Sequence, residues 1–247
     1  MCSPSRGGHK DVIYLENLIK ECQVTTLHFV PSMFQTYLIN AKSQCNSVKQ
    51  IFCSGEALDI KSATQYKLKF PKAALHNLYG PTEAAIDVTF YNCAQLTTPF
   101  VPIGAPISNT QIYILDKHHN PQPLGVAGEL YIAGDGLARG YLKRPELTNE
   151  KFIANPFNPG LRMYKSGDLA CWLEDGNIEY LGRMDTQVKI RGFRIEIGEI
   201  ETKLAAHPEI NSCCVIVKGQ GAEKHLVAFY LAKDTKAGNI VKLQLKT

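Results

Sequence analysis

Three segments carry side chains whose types and spacing could do chemistry. In residues 75–88, LHNLYGPTEAAIDV, an apolar run stops at a Gly-Pro pair and is followed at once by Thr82 and Glu83. The bare backbone at Gly80 lets a ligand approach closely, a hydroxyl can reach a phosphate oxygen, and a carboxylate can hold a hard cation such as Mg²⁺. The same letters also describe a β-turn in which Thr82 is an ordinary cap. In residues 164–169, YKSGDL, a glycine turn delivers Asp168. Its carboxylate could accept two hydrogen bonds from a vicinal diol, or simply cap a surface turn. In residues 182–194, GRMDTQVKIRGFR, four cations and two glycines fall within thirteen positions. That density suits a polyphosphate or another anion, and equally a solvated, charged edge strand.

The elements that must position these segments change character along the chain. Val12, Leu15, Ile19 and Cys22 stand at helical spacing behind Asp11, which suits the helix dipole. Residues 25–30 read as a buried strand stopped by Pro31, and Ser32 as the cap of a second helix. A strand over 50–53 enters Ser-Gly-Glu, a helix covers roughly 58–70, and a strand over 74–77 ends at Tyr79-Gly80-Pro81. This alternation predicts a parallel sheet flanked by helices. From Val101 to Tyr180, short apolar runs (111–115, 128–132, 170–173 and 177–180) alternate with turn residues, including a hairpin turn at 174–177, and predict a small antiparallel sheet or barrel. A strand over 187–191, a helix over 196–207 and strands over 214–217 and 226–230 follow, with a domain boundary close to Asp185. The fold class is therefore α/β (α+β): residues 1–184 form a larger unit and 185–247 a smaller α+β unit.

Composition bounds the function classes. The 247 residues are 45% hydrophobic and 20% charged, which is globular. Residues 1–184 hold 17 basic and 16 acidic side chains and residues 185–247 hold 10 and 7, so most of the net +4 lies after the boundary. With no basic run or basic-aromatic array, nucleic acid is not an expected partner. No apolar run nears the ~18 residues of a membrane span, so no membrane is expected either. Eight cysteines without a CxxC pair, and an N-terminus MCSPSRGG without an apolar core, read as reduced thiols in a cytoplasmic protein. The GDGLARG run at 134–140 lacks GxGxxG spacing and is not a dinucleotide fingerprint.

Taken in order, NLYGPTE, GELYIAGDGLARGYLKRPELTNEKF, YKSGDL and GRMDTQVKIRGFRIEIGEIE resemble the core motifs of adenylate-forming enzymes, specifically the amino-acid adenylation domains of nonribosomal peptide synthetases. The likeness runs from Gly8 onward. It implies a partial adenylate-forming fold and a two-step reaction: a carboxylate joins the α-phosphate of ATP, releasing pyrophosphate, and the acyl group then passes to a pantetheine thiol. By resemblance, Tyr79 stacks on adenine, Asn77 bonds its edge, and Gly55, Glu56 and Gly80 line the same pocket. Thr82 contacts the α-phosphate, Glu83 binds Mg²⁺, Asp168 holds the ribose, and Arg183 lies beside ribose and phosphates. Asp185 is the hinge, and the Arg191-Gly192-Phe193 loop faces the pantetheine of a peptidyl carrier domain, other synthetase modules being the further partners.

The substrate-facing positions carried over are His28, Phe52, Ser54, Leu78, Ile86 and Asp87, a set that resembles serine-activating domains. Grouping His28, Ser54 and Asp87 makes no sense for an apolar substrate, because buried polar groups need partners. A serine hydroxyl could donate to Asp87 and accept from His28 or Ser54; alternatively, His28 and Asp87 pair with each other. The Pro-Lys-Gly phosphate loop, the aspartate that grips the substrate amino group and the Asn-Gly-Lys lysine of the family have no counterpart in the 247 residues, and Lys242 and Lys246 are not substitutes. The expectation is the central and later part of such a domain, cut at both ends and poorly active alone. A non-catalytic scaffold remnant and an acyl-CoA or aryl-acid ligase are the alternatives.

Overall fold

The computed structural model describes Gly8 and residues 11–233; Lys242 and Lys246 lie outside them. Helix α1 (Val12–Glu21) starts where the Asp11 carboxylate accepts the free N–H groups of Ile13 and Tyr14, at 2.9 and 3.1 Å. After strand β1 (Thr26–Phe29), helix α2 (Pro31–Asn40) begins directly on Pro31. Ser32 is therefore not the cap expected of it. Proline suits the first helical position because it has no N–H to leave unpaired, and Ser32 falls inside the first turn, where Glu56 accepts its backbone N–H at 3.0 Å. Strand β2 (Gln50–Cys53) leads to helix α3 (Ile60–Gln65), shorter than expected because Asp59 caps it and a 3₁₀ turn, Tyr66–Leu68, closes it.

Strand β3 (Ala74–Tyr79) completes a parallel trio in which His28, Phe52 and His76 lie side by side. Two short strands not anticipated from the sequence, β4 (Thr89–Asn92) and β5 (Ala105–Pro106), extend the sheet antiparallel in the order β1-β2-β3-β4-β5. Phe34, Tyr37, Ile51, Phe70 and Leu75 are sealed between this sheet and its helices. Each such side chain contributes on the order of 2 kcal/mol of burial.

The second sheet comprises β6 (Thr110–Leu115), β7 (Gly128–Gly134), β8 (Phe152–Ala154), β9 (Arg162–Trp172) and β10 (Ile178–Arg183), with helix α4 (Pro145–Lys151) leading into β8. It is an antiparallel half-barrel of order β10-β9-β7-β6 with β8 on β9. The turn between β9 and β10 is the expected one, Gly176 adopting φ +80°. YKSGDL is not a turn, however. It lies inside the 11-residue strand β9, where Tyr164, Ser166, Asp168 and Ala170 alternate into the buried face. Asp168 is 6% exposed, not a surface cap.

Beyond Asp185, β11 (Val188–Ile190) and β12 (Phe193–Ile195) form a hairpin whose two turn residues, Arg191 and Gly192, both have positive φ. That is the turn whose twist matches paired strands. Helix α5 (Ile197–Ala205) packs on the hairpin β13 (Ile210–Lys218) and β14 (His225–Ala232), with Ile197, Leu204, Ile210 and Val215 in a small apolar cluster of their own.

Candidate active site

Parallel strands of an α/β sheet leave their ligand crevice at the carboxyl ends. Here Ser54-Gly55 follows β2 and Gly80-Pro81 follows β3, and these turns floor a cavity of about 170 Å³. The half-barrel supplies one wall through Asp168 and Arg183, and the β11–β12 hairpin leans over as the roof through Lys189, Gly192 and Arg194. A chamber of about 390 Å³ adjoins it, sharing Gly55, Tyr79, Gly80, Arg183 and Lys189. Gly80 admits no side chain, since a Cβ there would lie 2.2 Å from the Ile86 carbonyl oxygen. The chain then turns so tightly that Ala85 and Ile86 both take positive φ, +57° and +79°. For β-branched Ile86 this is strained backbone, and it brings Ile86 and Asp87 to the cavity.

The half-barrel wall is a closed polar network. Tyr79 donates its hydroxyl to Asp168 Oδ2 at 2.5 Å, and Arg183 Nη1 approaches Oδ1 at 3.1 Å. Burial still outweighs these two partners and raises the Asp168 pKa above the ordinary aspartate value. Arg183 also grips Asp185 with two nitrogens, at 2.7 and 2.5 Å, so the expected hinge residue is tied to the same network. In this arrangement Asp168 does not present two free oxygens to a diol.

Glu83 is equally committed. Its carboxylate accepts the Tyr141 hydroxyl at 2.6 Å and Arg194 Nη1 at 2.9 Å on both oxygens. Burial pushes its pKa up, but the Tyr141 bond and the Arg194 charge prevail and hold it below the ordinary glutamate value. A divalent cation at Glu83 does not fit this arrangement, because both oxygens face a guanidinium and no cluster of three metal-ligating side chains gathers among the described residues.

The remaining candidates divide. Ser54, Gly80, Thr82, Ile86 and Asp87 line the cavity, and Leu78 and Glu56 line the adjoining chamber. Glu56 also accepts the backbone N–H of Gly192 at 2.8 Å, pinning the roof to the floor. His28 is exposed and pairs with Ser54 (Nε2 to Oγ, 2.7 Å), not with Asp87. Phe52 stacks on His76 at 5.1 Å; neither His28 nor Phe52 lines the cavity. Asp87 Oδ1 is buried without a hydrogen-bond partner, and burial raises the Asp87 pKa. Asn77 donates to the Pro102 carbonyl at 2.9 Å, while its Oδ1, also unpartnered, belongs to a recess beside the chamber that shares Tyr180 and Ile103 with it. Of the expected pantetheine loop, Gly192 lines the cavity, and Arg191 and Phe193 point elsewhere, Phe193 being 73% exposed.

Sequence reasoning missed Tyr141 and Tyr180 as site residues, and it counted Lys189 and Arg194 only as charge density. Tyr141 sits inside the quoted GLARGYLKRP run and Arg194 inside RGFRIE, but their shared partner, Glu83, is distant in sequence from both.

A family model described as AMP-binding enzyme matches residues 2–142. The chain is 50% identical over 241 residues to a mycosubtilin synthase polypeptide of Bacillus subtilis, covering 93% of this chain and 9% of that protein. It is 45% identical over 244 residues to enterobactin synthase component F of Escherichia coli K12, covering 92% and 19%. Among solved structures it is similar to holo-PA1221, described as an NRPS protein containing adenylation and PCP domains, with a TM-score of 0.84 and 28% identity over 92% of this chain and 40% of that one. The chain thus spans less than a fifth of the length of these curated relatives and less than half of that solved chain.

Proposed function

The chain belongs to the AMP-binding enzyme family, as an adenylation domain of the nonribosomal peptide synthetase kind, which makes it by family an amino-acid-adenylating ligase; on that premise we propose that its cavity activates serine with ATP. The observation that carries the serine reading is the buried, unpartnered Oδ1 of Asp87, on the same cavity as the Ser54 hydroxyl. An orphaned acceptor gains a whole hydrogen bond when a substrate hydroxyl arrives, whereas an apolar side chain leaves its desolvation uncompensated. His28, bonded to Ser54, fixes the orientation of that hydroxyl from behind.

In the first step a carboxylate oxygen of serine bonds to the α-phosphorus of ATP. The bond from that phosphorus to the bridging oxygen breaks, and pyrophosphate leaves with the electron pair. Thr82 and Arg183, which both line the cavity, would donate where negative charge grows on the α-phosphate oxygens, and fixed donors there lower the barrier. Tyr79 offers its ring to adenine, with Gly55, Glu56 and Gly80 as neighbours, and the orphaned Asn77 Oδ1 suits the adenine amino group. Asp168 would hold the ribose by exchanging its Tyr79 and Tyr180 hydroxyl bonds for those of the sugar. Glu83 would be free for Mg²⁺ only after Arg194 withdraws.

In the second step the pantetheine thiol of a carrier domain would give up its proton to solvent and bond through sulfur to the acyl carbon, while the bond from that carbon to the phosphate oxygen breaks and AMP leaves with the electron pair. The exposed Arg191-Gly192-Phe193 turn would meet it. The separate apolar cluster behind α5 supports residues 185–247 as a unit turning about Asp185 against 1–184.

Calorimetric titration with non-hydrolysable aminoacyl-adenylate analogues tests the reading. The seryl analogue should bind more tightly than the leucyl one, the alanyl analogue should lose up to about 10⁴-fold, and the threonyl analogue only what one methyl costs. A leucyl analogue binding as tightly as the seryl one overturns it.

A further inference from the structure

A second piece of the small unit reaches the chamber beside the cavity, by a route separate from the β11–β12 hairpin. Strands β13 and β14 are joined by a turn whose 3₁₀ segment, Gly221–Glu223, lies against helix α2. The backbone N–H of Ala222 donates to Gln35 Oε1 at 3.1 Å. Gly221 takes φ +52°, and a Cβ there would lie 2.5 Å from the same oxygen, so the turn sits flush on Gln35. Lys224, which follows directly, lines the chamber together with Glu56, Leu78 and Tyr180 but does not line the cavity.

The polar atoms of this chamber are incomplete in a complementary way. Two acceptors are buried without partners: Gln187 Oε1, whose residue is 4% exposed and lines the chamber, and Asn77 Oδ1 in the recess beside it. The Gln187 amide nitrogen donates to Glu196, which fixes which end of that side chain is the acceptor. Lys224 is a donor without a carboxylate in ion-pair distance among the described residues, whereas Arg183 in the same lining is held by Asp168 and Asp185. The rest is largely apolar: Tyr79, Tyr180, Leu78 and Ile103. A ligand that satisfies all of this has flat apolar faces, N–H groups at one edge and an in-plane acceptor at another. That describes an aminopurine and not a phosphate, whose expected partner Thr82 lines only the cavity.

Resting on the nucleotide reading above, we propose that Lys224 is a base-contacting residue whose ammonium donates to a ring nitrogen of adenine, and that Gln35 positions it by holding the β13–β14 turn on α2. The small unit thereby reads the base through a segment that lies outside every motif that carries the family resemblance.

Calorimetric titration with adenosine, AMP and the adenosine analogues in which one ring nitrogen is replaced by C–H tests this. Lys224→Met should weaken adenosine and AMP by the same factor, about fivefold to tenfold, the scale of one charge-assisted hydrogen bond. One analogue should bind the wild-type chain more weakly than adenosine by about that factor, yet bind Lys224→Met as well as adenosine does. Gln35→Ala should show the same pattern to a smaller degree, although Gln35 lines neither the cavity nor the chamber; a merely structural loss would weaken adenosine and every analogue alike. Thermal melts of both variants separate a folding defect from a lost contact. If Lys224→Met weakens AMP but not adenosine, the lysine meets the phosphate, and if it changes neither, it is a solvated charge; either result overturns the assignment. If the wild-type chain binds neither adenosine nor AMP, the nucleotide reading itself falls.

Discussion

The two walls of the cavity satisfy their polar atoms in opposite ways. Asp168 on the half-barrel wall, and Glu83 beside the cavity in the turn that follows β3 but tied to Tyr141 and Arg194, are each closed off by a tyrosine hydroxyl and an arginine. On the side at the ends of β2 and β3, the buried acceptors Asp87 Oδ1 and Asn77 Oδ1 have no partner at all. A ligand gains outright from an orphaned acceptor but must exchange bonds at a closed one, so the same hydrogen bond contributes differently to binding on each wall. The closed wall stabilises the fold without a ligand; the open wall is held ready at a cost in stability.

The largest effect that follows is on folding. Asp168→Ala should destabilise the chain by about 2–3 kcal/mol, because it removes one of the two carboxylates that hold half-buried Arg183, Asp185 remaining, and leaves the Tyr79 hydroxyl buried without an acceptor. That the Asp168 pKa is raised does not contradict this: burying a pair and breaking it are different operations. Asp87→Asn, by contrast, should change stability by less than about 1 kcal/mol, since no bond is lost at Oδ1. Urea unfolding of the two variants measures both. Equal losses would mean the walls do not differ.

How much of this was legible in the sequence follows the same division. The parallel trio was readable because each strand is an apolar run bounded by a capping aspartate, a proline or a glycine, all of them local signals. Strands β4 and β5 carry only four and two residues, β5 ending on a proline, and have no period to read. Motif order brought out Thr82, Asp168 and Arg183, yet Asp168 was read as a turn residue because Gly167 precedes it. Gly167 does take φ +74°, but within a continuous strand. The Glu83–Arg194 pair, 111 positions apart, was invisible to spacing because only the folded hairpin brings it together.

A second expectation sharpens the contrast through pH. The Glu83 pKa is depressed below its unfolded value of 4.5, so its contribution is present above pH 4.5 and is lost as pH falls through the folded value. The Asp87 pKa is raised above 3.8, so its ionisation costs stability as pH rises through that window and continues to do so at neutral pH. Glu83→Gln should therefore cost about 1 kcal/mol at pH 7, a modest figure because Arg194 is one-third exposed, and progressively less as pH falls below 4.5. The stability of Asp87→Asn relative to wild type should move the other way, improving from pH 3 to pH 7. Denaturation curves at pH 3, 5 and 7 decide it; two variants trending in the same direction would break the comparison.

The smallest effect concerns the turn that makes the open wall possible. Ile86 holds φ +79° with its side chain 64% exposed, so little apolar contact repays the strain of a β-branched residue in left-handed backbone. Ile86→Gly relieves that strain but gives the unfolded chain more freedom to lose, and the two terms differ by little. Strain at such a position is on the order of 1–3 kcal/mol and the glycine penalty is about 1. A net gain of about 0.5–1 kcal/mol in urea unfolding is expected. The gain should come with weaker discrimination between seryl and leucyl analogues, because Asp87 is then no longer held at one place beside the cavity. Stability unchanged or lowered by Ile86→Gly would show that the turn is unstrained and that the open wall costs the fold nothing there.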